Sequence, residues 1–585
     1  MGWRCLSVGA MLFALAIGSF GVRSVMRVDD WWYAEPPNSF VRPGEEPDAG
    51  PIAARVFHAA GVSRFPTTFL VYWATPRLKD HYWVAHLLCV ILHAINVALV
   101  FLFARRVFAQ TAAAGMAAAL FAFWPAQAEV MFWASLFNYQ LGMTLLLATA
   151  LVWLGGGRHR YWIAPLLILI NTQFLEQAAV ASLALPALTV LDPDAGDGRT
   201  RWRRFVLHAL LLTVPIAIWA IAYSALVKPE LLTNDDGRTL PTRYLRTPLA
   251  ELPAKALDVF AAQVRFCPFG RYDRRQHVQC VRRFPDLAAD HPIAWLLVVL
   301  VPIAAVWAAV RECRPTLGQT GMSVPPLAES AVPTHRIKGV ALFAVLVWIA
   351  CAAPPTATQE TWYTMRMGYA PGLGRHLLLA AAFAGLADRI RRDRPAWTAP
   401  AAAAFALLVC VQALAMTVEG RQYWRQQQIS DAQAAQLREH FEARPGPRSL
   451  LIADITYYDQ PLTVTNRDHV VSLWAYPWVA RKFLQRNFPD GPPRLWFTGP
   501  ENVGRLDGGD AREFLKSIPH LSAFRYRSDA ATVVGPDELE PVGTIELRDL
   551  QGGRRSIALP CMNGATATVE VTVPDVRVWD RVRRH

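Results

Sequence analysis

The chain has 585 residues, 53% of them hydrophobic, a formal net charge of +13 and a mean hydropathy of +0.21. That balance excludes an ordinary soluble domain and a disordered chain, because apolar runs of about 20 residues recur and each is long enough to cross a bilayer as a helix. The positive charge does not mark a nucleic-acid partner: no zinc finger, helix-turn-helix or RNA-binding signature is present, and arginines gather in short loops between the apolar runs.

The hydropathy pattern predicts about 11 membrane-spanning helices, near 5–25, 82–103, 109–127, 133–154, 161–173, 175–191, 205–227, 292–310, 339–355, 369–387 and 397–417. The first begins behind Arg4 and lacks an Ala-x-Ala cleavage site before Asp29, so it reads as an uncleaved anchor. Basic residues occupy alternate loops: Arg105-Arg106, Arg158 with Arg160, Arg199 to Arg204, Arg311 with Arg314 and Lys338, and Arg389 to Arg394. With a cytoplasmic amino terminus all five clusters face the cytoplasm. Segments 26–81, 228–291, 356–368 and everything after 417 are then external. This places the protein in a bacterial inner membrane with a periplasmic carboxyl-terminal domain.

Just outside the first span stands Asp29-Asp30-Trp31-Trp32-Tyr33. Indole and phenol rings suit the headgroup layer. Ionised carboxylates at that depth must stay wet; they are either a reactive pair or the hydrated end of a span. The second span carries His86, Cys89, His93 and Asn96, spaced three, four and three apart and therefore on one helix face. Such a stripe faces protein or water, not lipid, and either walls a cavity or ties helices together. No third strong ligand at suitable spacing makes it a zinc site.

Pro125 stops the third span, and Glu129 follows in a short external turn, where it is placed to orient a hydroxyl, ligate a metal or cap a helix. Asn138 begins the next span and can bond within the bundle. Glu176 joins two short apolar segments and is expected to face the interior. In the late external segment Arg366 and Arg375 offer planar guanidinium forks that match a phosphate, with membrane anchoring as the alternative. Of the eight cysteines, Cys5, Cys89, Cys313, Cys351 and Cys410 fall in or beside spans, while Cys267 and Cys280 share one external loop and are candidates for a disulfide. Beyond 417 the long apolar runs end. A polar helical stretch, 421–442, precedes strand-like runs at 449–454, 494–497, 531–534, 544–547 and 566–573, which predicts a mixed α/β domain with a β-rich end. The domains are therefore 1–417, membrane, and 418–585, external and soluble.

Leu87-Leu88 to His93-Ala94-Ile95-Asn96, Arg105-Arg106-Val107-Phe108, and Phe121-Ala122-Phe123-Trp124-Pro125 with Glu129-Val130 and Trp133 together resemble the GT-C membrane glycosyltransferases, in particular bacterial relatives of the protein O-mannosyltransferases. Asp29-Asp30 occupies the place of that family's acidic pair in its first external loop. Arg64-Phe65-Pro66 resembles its arginine-proline step before the second span. Two departures stand out: Trp124 replaces the histidine that many relatives carry before the proline, and no tetratricopeptide array follows.

The resemblance implies an α-helical polytopic GT-C-like fold and transfer of a sugar from a polyprenyl-phosphate donor to an acceptor hydroxyl outside the cytoplasm, with inversion. Asp30, or Asp29, would act as general base with Glu129 beside it. Arg64, Arg366 and Arg375 would serve the donor phosphate, and His86, His93, Asn96, Asn138 and Glu176 would line the cavity. A divalent cation, Mg or Mn, held by Asp30 and Glu129, is the cofactor it admits. The partners are the lipid-linked sugar, membrane lipid and an acceptor protein, lipid or glycan, with no nucleic acid. The competing readings are a flippase for lipid-linked glycans and a non-catalytic scaffold for glycan assembly. No internal repeat of the kind found in transporters is visible.

Overall fold

The computed structural model describes chiefly residues 81–124, 127–132, 134–190, 197–226, 249–256, 334–357, 368–443, 446–453 and 477–497, and strand segments between 503 and 572. Asp29, Asp30, Arg64, Arg366, Cys267 and Cys280, the predicted spans at 5–25 and 292–310, and the predicted strand at 531–534 lie outside the described residues, as does the side chain of Glu129. The chain divides into two compact units whose boundary falls between Arg421 and Gln422.

The first unit is helical. Its elements are α1 (Trp83–Phe108), α2 (Thr111–Ala122), α3 (Ala128–Phe132), α4 (Phe137–Leu154), α5 (Arg160–Asn171), α6 (Glu176–Ala181), α7 (Ala187–Val190), α8 (Gly198–Leu226), α9 (Thr334–Ala357), α10 (Tyr369–Asp393) and the start of α11 (Thr398–Glu442). Among the described residues five helices are long and apolar enough to cross a membrane: Trp83–Phe108, Phe137–Leu154, Gly198–Ala222, His335–Ala353 and Tyr369–Asp393. The apolar helices Thr111–Ala122, Arg160–Asn171, Glu176–Val190 and Pro395–Val409 are shorter. The chain thus reads as a multi-pass membrane protein, and α10 is the most enclosed of the five.

Basic helix ends gather at one end of this unit. Arg106 Nη1 donates to the Leu151 carbonyl of α4 at 2.6 Å. Arg336 Nη1, in the first turn of α9, donates to the Arg106 and Val107 carbonyls of α1 at 3.4 and 3.3 Å. Gln110 Nε2 donates to Asp388 Oδ2 of α10 at 3.2 Å. The last carbonyls of a helix lack intrahelical partners and carry partial negative charge, so guanidinium groups there satisfy both needs at once. The alternation of arginines along the sequence is therefore met in space. At the start of α8 the Asp197 carboxylate accepts from Thr200 N–H at 3.2 Å, and hydrogen bonding to Thr200 holds its pKa below the usual carboxylate range.

α2 has 12 residues and so is about 18 Å long, well short of the roughly 30 Å hydrocarbon core. Pro125 has no N–H to donate and disfavours helical geometry in the residue before it, which explains a stop near this point. The chain then turns through α3 and a 3₁₀ turn at Ala134–Leu136 before α4 begins. Phe123, Trp124, Val130, Met131 and Phe132 are all buried. A second break lies between α5 and α6, where Asn171 Nδ2 donates to the Gly142 carbonyl of α4 at 3.1 Å.

The second unit holds the end of α11, α12 (Pro477–Asn487) and two four-stranded sheets. One has the order β2-β1-β4-β5, from β1 (Ser449–Ala453), β2 (Arg494–Phe497), β4 (Leu521–Arg525) and β5 (Glu540–Pro541); β1 pairs in parallel with both β2 and β4. The uninterrupted apolar run Leu450-Leu451-Ile452 suits a central parallel strand, covered on both faces. Leu437, Phe441, Leu484 and Leu521 are buried there, and His440 Nε2 meets Ser522 Oγ at 2.8 Å. The other sheet has the order β3-β8-β7-β6, with β3 (Val503–Asp507), β6 (Glu546–Leu550), β7 (Arg554–Pro560) and β8 (Thr566–Thr572). β6, β7 and β8 pair antiparallel, and the alternating Thr566-Ala-Thr-Val-Glu-Val-Thr572 is a period-2 strand pattern.

α9 and α10 approach closely at a small residue. A Cβ added at Gly374 would stand 2.9 Å from Ala344 Cα, a backbone atom that cannot swing aside. Gly374→Ala is expected to destabilise the unit by about 1–3 kcal/mol, read as a lowered melting temperature in detergent. Gly157→Ala, with nothing near its added Cβ, should leave that temperature in place.

Candidate functional site

The break after α2 is the focus of a buried polar network. Ala122 ends α2, and His93 Nε2 lies 3.2 Å from its carbonyl. A carbonyl only accepts, so Nε2 carries the hydrogen, and Nδ1 accepts from the Tyr369 hydroxyl at 3.2 Å. Asn96 Nδ2 donates to the Gln140 carbonyl at 3.0 Å and reaches the same hydroxyl at 3.5 Å. Thr144 Oγ1 lies 2.8 Å from Asn96 Oδ1. Gln140 Nε2 donates to the Val130 carbonyl of α3 at 2.9 Å, and Cys89 Sγ faces the Ala134 carbonyl at 3.6 Å. Two elements, α1 and α4, thus lend side chains to a stretch of backbone that the helix has released, and Tyr369 of α10 braces two of the α1 side chains, His93 and Asn96.

The sequence-predicted stripe on α1 is fully inside. His86, Cys89, His93 and Asn96 are all buried, and His93 and Asn96 tie α1 to its neighbours. His86 packs edge-on against Tyr82, with ring centres 5.2 Å apart. Asn138 Nδ2 donates to the Phe174 carbonyl at 3.1 Å, which fixes the turn before α6. Glu176 begins α6 and is half-buried. The main chain of Glu129 belongs to α3, directly beside the Val130 carbonyl that Gln140 holds.

Next to this network lies a second cluster. Arg375 Cζ stands 4.4 Å over the Trp124 ring. His376 meets Trp124 at 5.1 Å and Phe121 at 5.8 Å, edge to face in both cases. His93 stacks on Phe121 at 5.6 Å, so the two clusters share that ring. Gly372 leaves room for them: a Cβ there would stand 3.3 Å from both Arg375 Nη2 and His376 Cε1. Trp124, Arg375 and His376 are at most 5% exposed. Trp124 Nε1 and both ring nitrogens of His376 find no hydrogen-bond partner among the described residues, and the same holds for both side-chain polar atoms of Gln127, whose backbone N–H bonds the Trp124 carbonyl. Buried polar atoms are normally paired, and leaving one unpaired costs about 1–3 kcal/mol. Several together, all at the break and dominated by donors and a cation, make a place fit for oxyanion acceptors.

Of the three arginines expected to serve a phosphate, Arg375 is the one the described residues place, and they bring it to Trp124 and His376. The stripe on α1 and Asn138 are buried within the bundle, and Glu176 is half-buried at the start of α6. Tyr369, Gln140, Trp124 and His376 were not singled out as site residues by sequence reasoning. His376 follows directly on Arg375, which is the one local signal that pointed to it. Among the described residues no three His, Cys, Asp or Glu side chains come together as a cation site.

No known family model matches the chain, and no curated protein matches it. Among solved structures, the crystal structure of ArnT from Cupriavidus metallidurans bound to undecaprenyl phosphate is similar over 90% of this chain and 93% of its own, at 14% identity and a TM-score of 0.37.

Tyr369→Phe removes the hydroxyl that His93 and Asn96 share. The expected cost is about 1–3 kcal/mol, because His93 Nδ1 is left buried without a donor. It should appear as a lower melting temperature of the detergent-solubilised protein, with helix content by circular dichroism unchanged before the transition.

Proposed function

We propose that this chain is a membrane glycosyltransferase that moves a sugar from a polyprenyl-phosphate donor to an acceptor hydroxyl, at the side of the bundle opposite its arginine-rich end. The reading is carried by the donor-rich cluster of Trp124, Arg375 and His376 at the break after α2, and it is supported by the GT-C resemblance of residues 26–150. A lipid-linked donor has a tail that needs hydrocarbon and a phosphate that needs buried donors. A helix that stops partway across the bilayer offers both, since irregular backbone at that depth is tolerated only inside protein or along a wet cavity.

In the proposed reaction the acceptor oxygen attacks the anomeric carbon opposite the leaving group, so configuration inverts. The acceptor proton passes to the carboxylate of Asp30, with Asp29 as its neighbour. The bond between the anomeric carbon and the phosphate oxygen breaks, and that oxygen keeps the electron pair. A phosphodiester thereby becomes a monoester with one more negative charge. Donors already aimed at the phosphate gain most when this charge develops, which is differential stabilisation of the transition state. Arg375 supplies fixed positive charge, and Trp124 Nε1–H and the His376 imidazole supply hydrogen bonds. Arg366 and Arg64 are assigned to the entry side of the same phosphate, and Glu129 to orientation of a sugar hydroxyl. The carboxyl-terminal domain is assigned to the external face, where the acceptor arrives.

Purified protein given a polyprenyl-phosphate sugar and a hydroxyl acceptor should release polyprenyl phosphate. Asp30→Asn should abolish transfer. Arg375→Gln and His376→Gln should each lower kcat about 10²–10³-fold, as expected for loss of a donor to a developing oxyanion. Movement of the lipid-linked sugar across vesicles without transfer would instead mark a flippase. Neither activity, together with stable capture of a glycan-assembly enzyme, would mark a scaffold.

A further inference from the structure

The arginine-rich end of the bundle holds a second cluster, and nothing in the proposed reaction uses it. Arg160, in the first turn of α5, folds back over two rings: its Cζ lies 5.2 Å from the Trp153 ring centre and 4.8 Å from that of Tyr161. One nitrogen, Nη2, donates to the Tyr161 hydroxyl at 2.7 Å. His208 of α8 closes the group, 5.0 Å from Trp153 and 5.7 Å from Tyr161. Trp153 is completely buried, yet its Nε1 has no hydrogen-bond partner among the described residues, and neither has Arg160 Nε. A basic side chain that served only to mark topology would extend into water. This one is held against aromatic faces, beside an orphaned buried donor.

The charge around it is mostly positive, with Asp197 beside Arg201 as the acid at its edge. Arg158 precedes it, and Arg201 and Arg204 lie in the first turns of α8, with Arg204 one turn before His208. Asp197, the acid nearest to them in the described sequence, already caps α8 through Thr200. Exposed apolar side chains begin among these cations and continue along α8: Trp162 is 58% exposed, Trp202 53%, Val206 50% and Leu210 59%. Cations and a buried donor beside exposed apolar side chains match one chemistry in two parts, a phosphate carrying acyl chains. Free phosphate would account for the cations and leave the apolar rim without a role.

We propose that the ends of α4, α5 and α8 around Arg160, Trp153 and His208 form a binding site for the headgroup of an anionic phospholipid, whose acyl chains lie along the exposed faces of α5 and α8. The site stands apart from the reaction proposed above, and neither depends on the other. Full-length protein in a neutral detergent is given phosphatidylglycerol, phosphatidylcholine or inorganic phosphate, and lipid retention is read by native mass spectrometry beside the melting temperature. Wild type should retain phosphatidylglycerol over phosphatidylcholine by roughly fivefold, the scale of one arginine at a membrane surface, and the anionic lipid should raise its melting temperature. Arg160→Gln should lose both effects. Arg160→Lys, which keeps the charge and gives up the planar fork, should fall between. Arg389→Gln, at an exposed pair with Asp393, should behave as wild type. Equal retention of the two lipids, an undiminished preference in Arg160→Gln, or stabilisation by inorganic phosphate as large as by phosphatidylglycerol would each overturn the proposal. Should Arg160→Gln not yield folded protein, Trp153→Phe removes the Nε1 donor while keeping a ring, and a full preference in that variant overturns it as well.

Discussion

A backbone carbonyl released inside a bilayer has no water to bond, and this constraint organises the membrane unit. α2 stops at Ala122 after 12 residues. From there until α4 begins, the chain carries carbonyls that no regular helix satisfies. His93 takes the carbonyl of Ala122, Gln140 takes that of Val130, and Cys89 faces that of Ala134. Each of these side chains sits on a helix long enough to cross the membrane. The polar stripe of α1 is there because α2 is short.

The same economy explains the contrast between the two clusters that meet on Phe121. Around His93 both ring nitrogens, the Tyr369 hydroxyl and the Asn96 amide have found partners, and the ring is held in one tautomer by a carbonyl on one side and a hydroxyl on the other; Gln140 Oε1, further along the network, has none among the described residues. Around His376 the ring nitrogens and the Trp124 indole N–H have none among the described residues. Both sets are buried to a similar degree, so burial alone does not decide it. The first set faces backbone that needed donors. The second is packed by ring contacts that hold orientation and leave the polar edges available. Natural proteins keep such unpaired groups at functional sites, where a ligand completes them.

Part of this was legible in the sequence. The helical spacing of His86, Cys89, His93 and Asn96 gave one face, and the structure buries that face. The alternation of arginines gave a common end for α1, α4, α9 and α10, where Arg106 and Arg336 bridge the first three and Gln110 bonds Asp388 of α10. Pro125 gave the stop of the third span to within a few residues. The partners were not legible. Tyr369 lies 276 residues from His93, and no local pattern connects them. Trp124 read as a departure from a motif; only the fold brings His376 to its edge. The end of the last apolar run carried a different kind of information. Hydropathy falls near 417 and the division into compact units falls at Arg421, while α11 runs on to Glu442 and takes in the polar helical stretch expected at 421–442. Gln, Arg and Ala are good helix formers whether or not they are apolar, so a change of solvent need not end a helix.

The network also bears on the choice between a transferase and a carrier. A carrier must rearrange the element that holds its cargo, so that the site faces alternate sides. Here that element is the break after α2, and side chains from α1, α4 and α10 converge on it through bonds to its backbone or to one another. Moving it relative to those helices would strand several buried groups at once, at about 1–3 kcal/mol each, unless every helix moved with it. A transferase makes the opposite demand. Its donors must already stand where charge will develop, because reorganisation at the moment of reaction is part of the barrier. A polar break fastened to two helices and braced by a third, with Trp124 and His376 at its rim, meets the second demand at the expense of the first.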